Sequence, residues 1–307
     1  MTIFIRTVAG GLGAAVVLVA SAGPAVASTV SATTGGATPV VGQLVLEPTA
    51  RGYQGTLPIT VTNHSDQPVS HLLITEPVAG SWRGTLSNEF CMVVVPKQYV
   101  RTFDCMVSLG AGQSRTYTAR FEVLTHTRPY AMSARGGQVA VQVGHDAPVT
   151  TSATFRTLFR STDGSRQGRR PYRQDRTTEA AIATGEARLV QQADGTFAGW
   201  LPVTARYDSD AANHFLDVAA TLPTGVDIVD MDPPDMPVFS TGFLVPGGAF
   251  TEGEERIFRV LLTAPAGTAP GLLGTGTFAV STYYEGGAAP EGDPSDNTVT
   301  FPIRVGA

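Results

Sequence analysis

The sequence is short of the residues on which most enzyme and metal chemistry depends. Its 307 residues include two cysteines, Cys91 and Cys105, five histidines, two tryptophans and a single lysine, Lys97. No histidine flanks either cysteine at zinc-like spacing, and the pair lacks the Cys-x-x-Cys form of a redox couple. The histidines, His64, His71, His126, His145 and His214, are scattered, and no Gly-x-Ser-x-Gly, His-Glu-x-x-His or phosphate-loop motif occurs. Long charged helical stretches are absent. Beyond Ala22 no apolar run approaches the ~18 residues of a membrane-spanning helix. The chain therefore reads as non-enzymatic, without a cofactor and without a transmembrane segment in its mature part.

What is present begins with an export signal. Met1 to Arg6 carries one positive charge, Val8 to Ala22 is apolar and small, and Ala25-Val26-Ala27 before Ser28 has the small-x-small form that signal peptidase reads. The expectation is a signal peptide over 1–27 and a secreted, extracellular protein, free or loosely held at the cell wall. No cysteine stands at the cleavage point to take a lipid, and Phe301 to Ala307 has neither an apolar tail nor Leu-Pro-x-Thr-Gly. In an exported chain with two cysteines, a Cys91–Cys105 disulfide is the default state. Closing ~15 residues, it contributes on the order of 3 kcal/mol in the chain-entropy model.

The remainder repeats itself. Gly55-Thr56-Leu57-Pro58-Ile59-Thr60 returns as Gly199-Trp200-Leu201-Pro202-Val203-Thr204, Ser65-Asp66 as Ser209-Asp210, and Leu72 and Ile74 as Leu216 and Val218, all shifted by 144 positions. So long a period marks a domain, since solenoid units run from roughly 20 to 50 residues. Period-two alternation marks strands: Tyr117, Ala119, Phe121 and Val123 share one face, as do Leu57, Ile59 and Val61, and Leu201, Val203, Ala205 and Tyr207. Phe258, Val260 and Leu262, and Val299, Phe301 and Ile303, continue the pattern. Turn chemistry bounds the runs, as at Asn63-His64-Ser65-Asp66 and Pro246-Gly247-Gly248. The fold class is all-β, with a sandwich in each copy.

The predicted layout is a flexible N-terminal segment over 28–40, a disulfide-bearing sandwich over 41–160, an Arg-rich linker over 161–178 and an acidic sandwich over 179–307. Pro58 and Pro202, which cannot donate to a ladder, are expected on an edge strand or at a bulge. Charge divides at the linker: Met1–Arg176 holds 16 basic and 9 acidic residues, Thr177–Ala307 holds 5 and 17. Arg160, Arg166, Arg169, Arg170, Arg173 and Arg176 make the linker either a solvated hinge or a grip for an anionic envelope polymer. Nucleic acid is not expected as a partner, because no stacking aromatics interleave beyond Tyr172.

The stretch Ile59-Thr60-Val61-Thr62-Asn63-His64-Ser65-Asp66-Gln67-Pro68-Val69, followed by Leu72-Leu73-Ile74-Thr75-Glu76-Pro77, resembles Ig-like repeats of bacterial surface proteins. The type is that of the domain-of-unknown-function eleven repeat, with the cell-adhesion-related bacterial domain as a neighbour. In the second copy Leu222-Pro223-Thr224-Gly225 and Gly292-Asp293-Pro294-Ser295-Asp296-Asn297 are similar to that family's later elements. Cys91 and Cys105 resemble a paired-Cys variant of exported actinobacterial relatives. The second copy departs in having no cysteine, and the first lacks the Asp-rich closing strand. The resemblance implies two tandem Ig-like β-sandwich domains in a stalk, spacer or adhesion role, and carries no catalytic residues.

Candidate ligand-binding residues are few. Trp82 beside Arg83 is placed either to stack on a sugar or anchor a partner, or to tuck against the end of its sandwich. Arg169 and Arg170 belong to the linker. Trp200 is expected on an outer face, and Tyr283-Tyr284 must put one ring in and one out. Calcium, which prefers oxygen ligands, has two candidate places: Asp227, Asp230, Asp232 and Asp235, and Asp293, Asp296 and Asn297. A solvated loop accounts for the first, and Asp-Pro and Asp-Asn turns explain the second without a metal. The function expected is an envelope-associated interaction or spacer protein with a protein or glycan partner. Its alternative is a carbohydrate- or wall-polymer-binding protein.

Overall fold

A computed structural model describes residues 36–94, 99–144, 149, 151–287 and 289–306. The expected signal peptide 1–27 and His145 lie outside them. Among the described residues there is no helix. The first half comprises β1 (Ala37–Val41), β2 (Leu44–Thr49), β3 (Gly52–Asn63), β4 (Val69–Thr75) and β5 (Trp82–Leu86). It continues with β6 (Cys91–Val94), β7 (Thr102–Leu109), β8 (Ser114–Val123), β9 (Met132–Val143) and β10 (Thr151–Phe159). After a short β11 (Arg170–Pro171) come β12 (Ala180–Thr184), β13 (Ala187–Gln191), β14 (Phe197–Tyr207), β15 (Phe215–Thr221) and β16 (Asp227–Asp232). The last five are β17 (Val238–Phe239), β18 (Gly242–Leu244), β19 (Glu254–Ala264), β20 (Gly271–Tyr283) and β21 (Thr298–Val305).

The strands make two sheets with one plan. The first runs β5-β8-β3-β2-β10-β9-β4-β7-β6, with β1 also on β3 and β11 on β9. The second runs β16-β19-β14-β13-β21-β20-β15-β18-β17, with β12 also on β14. Position by position the orders correspond. Each sheet closes on itself as two facing layers, because one strand belongs to both. β2 pairs antiparallel with β3 through Glu47–Thr49 and parallel with β10 through Leu44–Leu46. β13 does the same between β14 and β21.

Alternation in the sequence becomes burial in the fold. Tyr117, Ala119, Phe121 and Val123 on β8 are buried, and so are Leu57, Ile59 and Val61 on β3. Each Leu, Ile, Val or Phe among them contributes about 1.5–3 kcal/mol on removal from water. Each half has its own apolar cluster, the first around Leu57, Phe121 and Phe155, the second around Leu201, Phe243 and Phe278. Tyr284 is buried while Tyr283 and Trp200 are exposed, as the alternation predicts.

The recurring Gly-x-Leu-Pro marks the place where the bridging strand changes layers. On β3, residues 52–54 pair with β2 and residues 59–63 with β1, leaving 55–58 without a ladder partner on that side. Thr118, opposite Pro58, directs its N–H and C=O to Ser87 on the far side, so Pro58 turns its own backbone toward the gap. A residue with no N–H leaves no donor stranded there. Pro58 and Pro202 thus sit in interior strands, not on an edge or at a bulge: the ladder they would interrupt is absent locally. Gly55 and Gly199 serve the same crossing, since a Cβ would stand 2.2 Å from the Val45 carbonyl oxygen and 2.0 Å from that of Arg188.

Two segment expectations need correction. The flexible segment placed at 28–40 ends in ordered strand, because Ala37 to Val41 pair with β3. The Arg-rich linker 161–178 is not a free hinge. Ser161 is buried, Arg170 and Pro171 pair parallel with Met132 and Ser133 of β9, and the Tyr172 ring packs 4.7 Å from Phe159. Its arginines mask these anchors, which are short and aperiodic.

Candidate functional site at the junction of the two sandwiches

Glu76, directly after β4, is completely buried with Arg101 beside it. Its Oε1 accepts hydrogen bonds from Gly80 N (3.0 Å), Arg101 N (3.0 Å), Arg101 Nε (3.2 Å) and the Tyr284 hydroxyl (2.9 Å). Oε2 accepts from Trp82 N (3.1 Å) and Arg101 Nη2 (3.2 Å). A buried carboxylate is tolerable when every lone pair is met by a donor, and here the guanidinium meets both oxygens as a fork. Tyr284 joins the halves at this point, also accepting from Gly80 N at 2.9 Å. Burial and the Glu76 charge push its phenol pKa far up, so it stays protonated. Tyr99 packs its ring 5.4 Å from Tyr284 and accepts from Ala212 N at 2.7 Å, which seals a small apolar contact.

His214 stands on the open side of this knot, with Nε2 3.1 Å from Arg101 Nη1. A guanidinium only donates, so Nε2 accepts and the imidazole is neutral with its proton on Nδ1. Burial and then the Arg101 charge hold its pKa below the ordinary histidine value, and Glu285 offsets part of this.

A second set of bonds fastens the other side. Glu252 accepts from Thr125 Oγ1 and His126 N, both at 2.8 Å, and from Arg128 Nη2 at 3.1 Å. Burial works against its charge, but these donors outweigh it and its pKa is lowered. The linker adds a third strap. The Gln174 amide accepts from Ala79 N (3.0 Å) and donates to Ala79 O (2.9 Å) and Asp210 O (3.0 Å). Asp210 accepts from the Tyr172 hydroxyl (2.8 Å) and Asp175 N (2.7 Å). Burial nevertheless raises the Asp210 pKa. Beside this strap lies a groove of about 380 Å³ lined by Arg128, Tyr130, Arg170, Tyr172, Arg173, Asp175 and Glu252, among others. Arg170 stacks 3.9 Å from the Tyr130 ring centroid.

The residues singled out from sequence fall in several places. Cys91 and Cys105 are bonded, as expected, between directly paired residues of β6 and β7. Trp82 is core, stacked on Phe103 at 4.9 Å and edge-on to Phe121 at 5.6 Å, so its ring is closed to a sugar. Arg83 is held by Glu122 at 2.5 Å and the Gly80 carbonyl. Arg169 is exposed and donates to the Arg166 carbonyl, while Arg170 lines the groove.

The acidic candidates do not converge. Among the described residues no three His, Cys, Asp or Glu side chains are grouped to hold a metal ion. Asp232 pairs with Arg259, Asp235 caps Gly247 N at 3.1 Å and Asp230 takes Met231 N at 2.8 Å. Asp293 closes a turn on Ser295, and the Asp296 carbonyl accepts from Ile182 N. Asp230, Asp232, Asp235 and Asp293 thus each lend a carboxylate oxygen to a local turn or strand partner.

Sequence reasoning missed Glu76, Arg101, Gln174 and Glu252. One signal was readable: Tyr283-Tyr284 required a buried ring, although nothing nearby in sequence says what it meets.

No family model matches the sequence, and no curated protein matches it significantly, so the repeat type named from the residues is unmatched at that level. Solved structures overlap it loosely. A protein of unknown function from Porphyromonas gingivalis W83 is 11% identical, covering 88% of this chain and 99% of that one at a TM-score of 0.24. The CupB6 tip adhesin from Pseudomonas aeruginosa is 10% identical over 92% of this chain and 99% of its own, at 0.29. A BSP domain of a biofilm-associated protein is 11% identical over 87% of this chain and 58% of its own, at 0.24. Scores this low carry no functional argument.

Proposed function

We propose that this chain is a non-enzymatic spacer and interaction protein of the exported cell envelope, built of two tandem Ig-like sandwiches. The observation that carries the reading is the junction. A buried carboxylate–guanidinium pair, a phenol from the second half and a strapped linker hold two similar units in one orientation, which suits a spacer and not a flexible tether. The layer plan supports the Ig-like description: β1, β3, β8 and β5 oppose β7, β4, β9 and β10, as four-strand and C, F, G-type layers do in that fold.

A second reading, binding of a carbohydrate or an anionic wall polymer, is favoured by the groove with its stacked Arg170 and exposed Arg173. Co-sedimentation of the mature protein with purified envelope fractions, with and without calcium, tests both. Binding that survives Arg170→Ala supports the module reading, and binding lost with it supports the groove. No binding to any fraction refutes the interaction role, and solution scattering that fits only a freely hinged pair refutes the spacer role.

A further inference from the structure

The second sandwich leaves none of its arginines without a carboxylate. Arg188 and Arg304 pair with Glu186, Arg206 with Asp208, Arg256 with Glu254 and Arg259 with Asp232. The first sandwich differs at one end of its β9–β10 layer. Arg135, Arg156, Arg170 and Arg173 are exposed there, and among the described residues none of them has a carboxylate partner.

The fold crowds these side chains. The β9–β10 ladder breaks between Phe155, opposite Gly137, and Thr157, opposite Ala134, so Arg156 stands against Arg135. Ala134, Phe155 and Thr157 beside them are buried, which turns both arginines to the outer face. β11 lies on the other side of β9, with Arg170 opposite Met132 and Tyr172 N bonded to the Ser133 carbonyl. Neighbouring strands run about 4.8 Å apart, and like charges set side by side on them repel. No strand acid relieves this. β4, β9, β10 and β11 hold none, and Asp104, the one acid of β7, is bound to His71 at 2.8 Å. Glu47, just past the pairing of β2 with β10, is held by Arg160 at 3.0 Å, and Asp163 of the linker is spent on Ser161 and Ser165. Arg170 is also fixed in advance. β11 holds its backbone and Tyr130 covers one face of its guanidinium, leaving the N–H edge to grip a carboxylate or phosphate as a fork.

We propose that this end of the layer binds an anionic polymer. Arg135 and Arg156 take its oxyanions on the sheet face, and Arg170 and Arg173 continue the track along the linker. Unrelieved positive charge selects an anion, and its spread over neighbouring strands selects one that repeats its charge. A nucleic acid fits less well, because both tyrosines beside the track are taken, Tyr130 by Arg170 and Tyr172 by Phe159. The proposal rests on the polymer-binding reading and moves its centre from the groove to the sheet face.

Fluorescence anisotropy of end-labelled polyphosphate, polygalacturonate and dextran, each titrated with the mature protein, tests it. The expected result is binding of polyphosphate, polygalacturonate or both, which separates phosphate from carboxylate recognition, and none of dextran. Affinity falls steeply between about 50 and 200 mM salt. Arg135→Gln with Arg156→Gln weakens binding about tenfold at the lower salt and flattens the salt slope by about one to two, with an unchanged circular dichroism spectrum. Arg188→Gln with Arg206→Gln, on the second sandwich, changes affinity less than about twofold. Binding undiminished in the first pair of substitutions overturns the proposal. If Arg170→Ala alone then abolishes it, the ligand lies in the groove and the polymer-binding reading survives without this site. A protein that binds neither anionic polymer, or binds only a single-stranded DNA oligonucleotide, also overturns the proposal.

Discussion

Glu76→Gln tests the junction most directly. The change keeps the shape of the side chain but turns one carboxylate oxygen into an amide nitrogen. Oε1 has four donors around it and Oε2 has two, Trp82 N and Arg101 Nη2. Wherever the amide nitrogen is placed, it faces donors. Arg101 keeps its charge, with Glu285 at 3.6 Å as its remaining carboxylate. Breaking a buried pair by removing one partner costs about 3–5 kcal/mol. With a urea m-value of ~2 kcal/mol/M, a loss of ~4 kcal/mol lowers the midpoint by about 2 M. The two tryptophans make the assay local: Trp82 is buried in the first sandwich, Trp200 is exposed on the second. Tryptophan emission should therefore shift earlier in urea than far-ultraviolet circular dichroism, which sees both halves. A midpoint within about 0.3 M of wild type would falsify the assignment of Glu76 as the junction's anchor.

Three further outcomes are expected. Replacing both Cys91 and Cys105 by serine removes about 3 kcal/mol, read as a lower unfolding midpoint in reductant-free buffer; an unchanged midpoint refutes the contribution. His214 titrates below the ~6.5 of an unfolded histidine, so its stabilising contribution is complete above that pH and is lost as pH falls through the folded value. Melting temperatures between about pH 7.5 and 5 should fall less steeply in His214→Gln than in wild type, and superimposable profiles contradict the argument. Gly199→Ala, whose Cβ meets the Arg188 carbonyl at 2.0 Å, costs on the order of 1–3 kcal/mol. Gly185→Ala, with open space around it, leaves stability unchanged, and equal effects at the two sites count against the crossing.

Strands and their inward faces were legible because alternation is local: each run from Tyr117 to Val123 or Leu201 to Tyr207 needs only its own period to declare a buried side. The repeat was legible for the same reason, and Gly-x-Leu-Pro recurred because both sandwiches meet the same crossing problem. The physical use of the proline was not, since a gap in a ladder depends on where β1 and β2 land, strands whose pairing is set by tertiary structure. The junction was the least legible. Glu76 and Tyr284 lie 208 positions apart, and a buried acid looks in sequence like any surface acid. The linker misled for a related reason: its arginines are exposed, but Ser161, Tyr172 and Gln174 between them are anchored.

The strand that belongs to both layers also bears on how the chain resists force. β2 and β10, near the two ends of the first sandwich, lie side by side and parallel, as do β13 and β21 in the second. When the ends of such a unit are drawn apart, parallel neighbours must slide past one another, and their hydrogen bonds give way together instead of unzipping singly. Two sandwiches joined in series carry the same tension. For a protein gripped at both ends, the quantity that matters is then a rate of rupture, not an equilibrium stability.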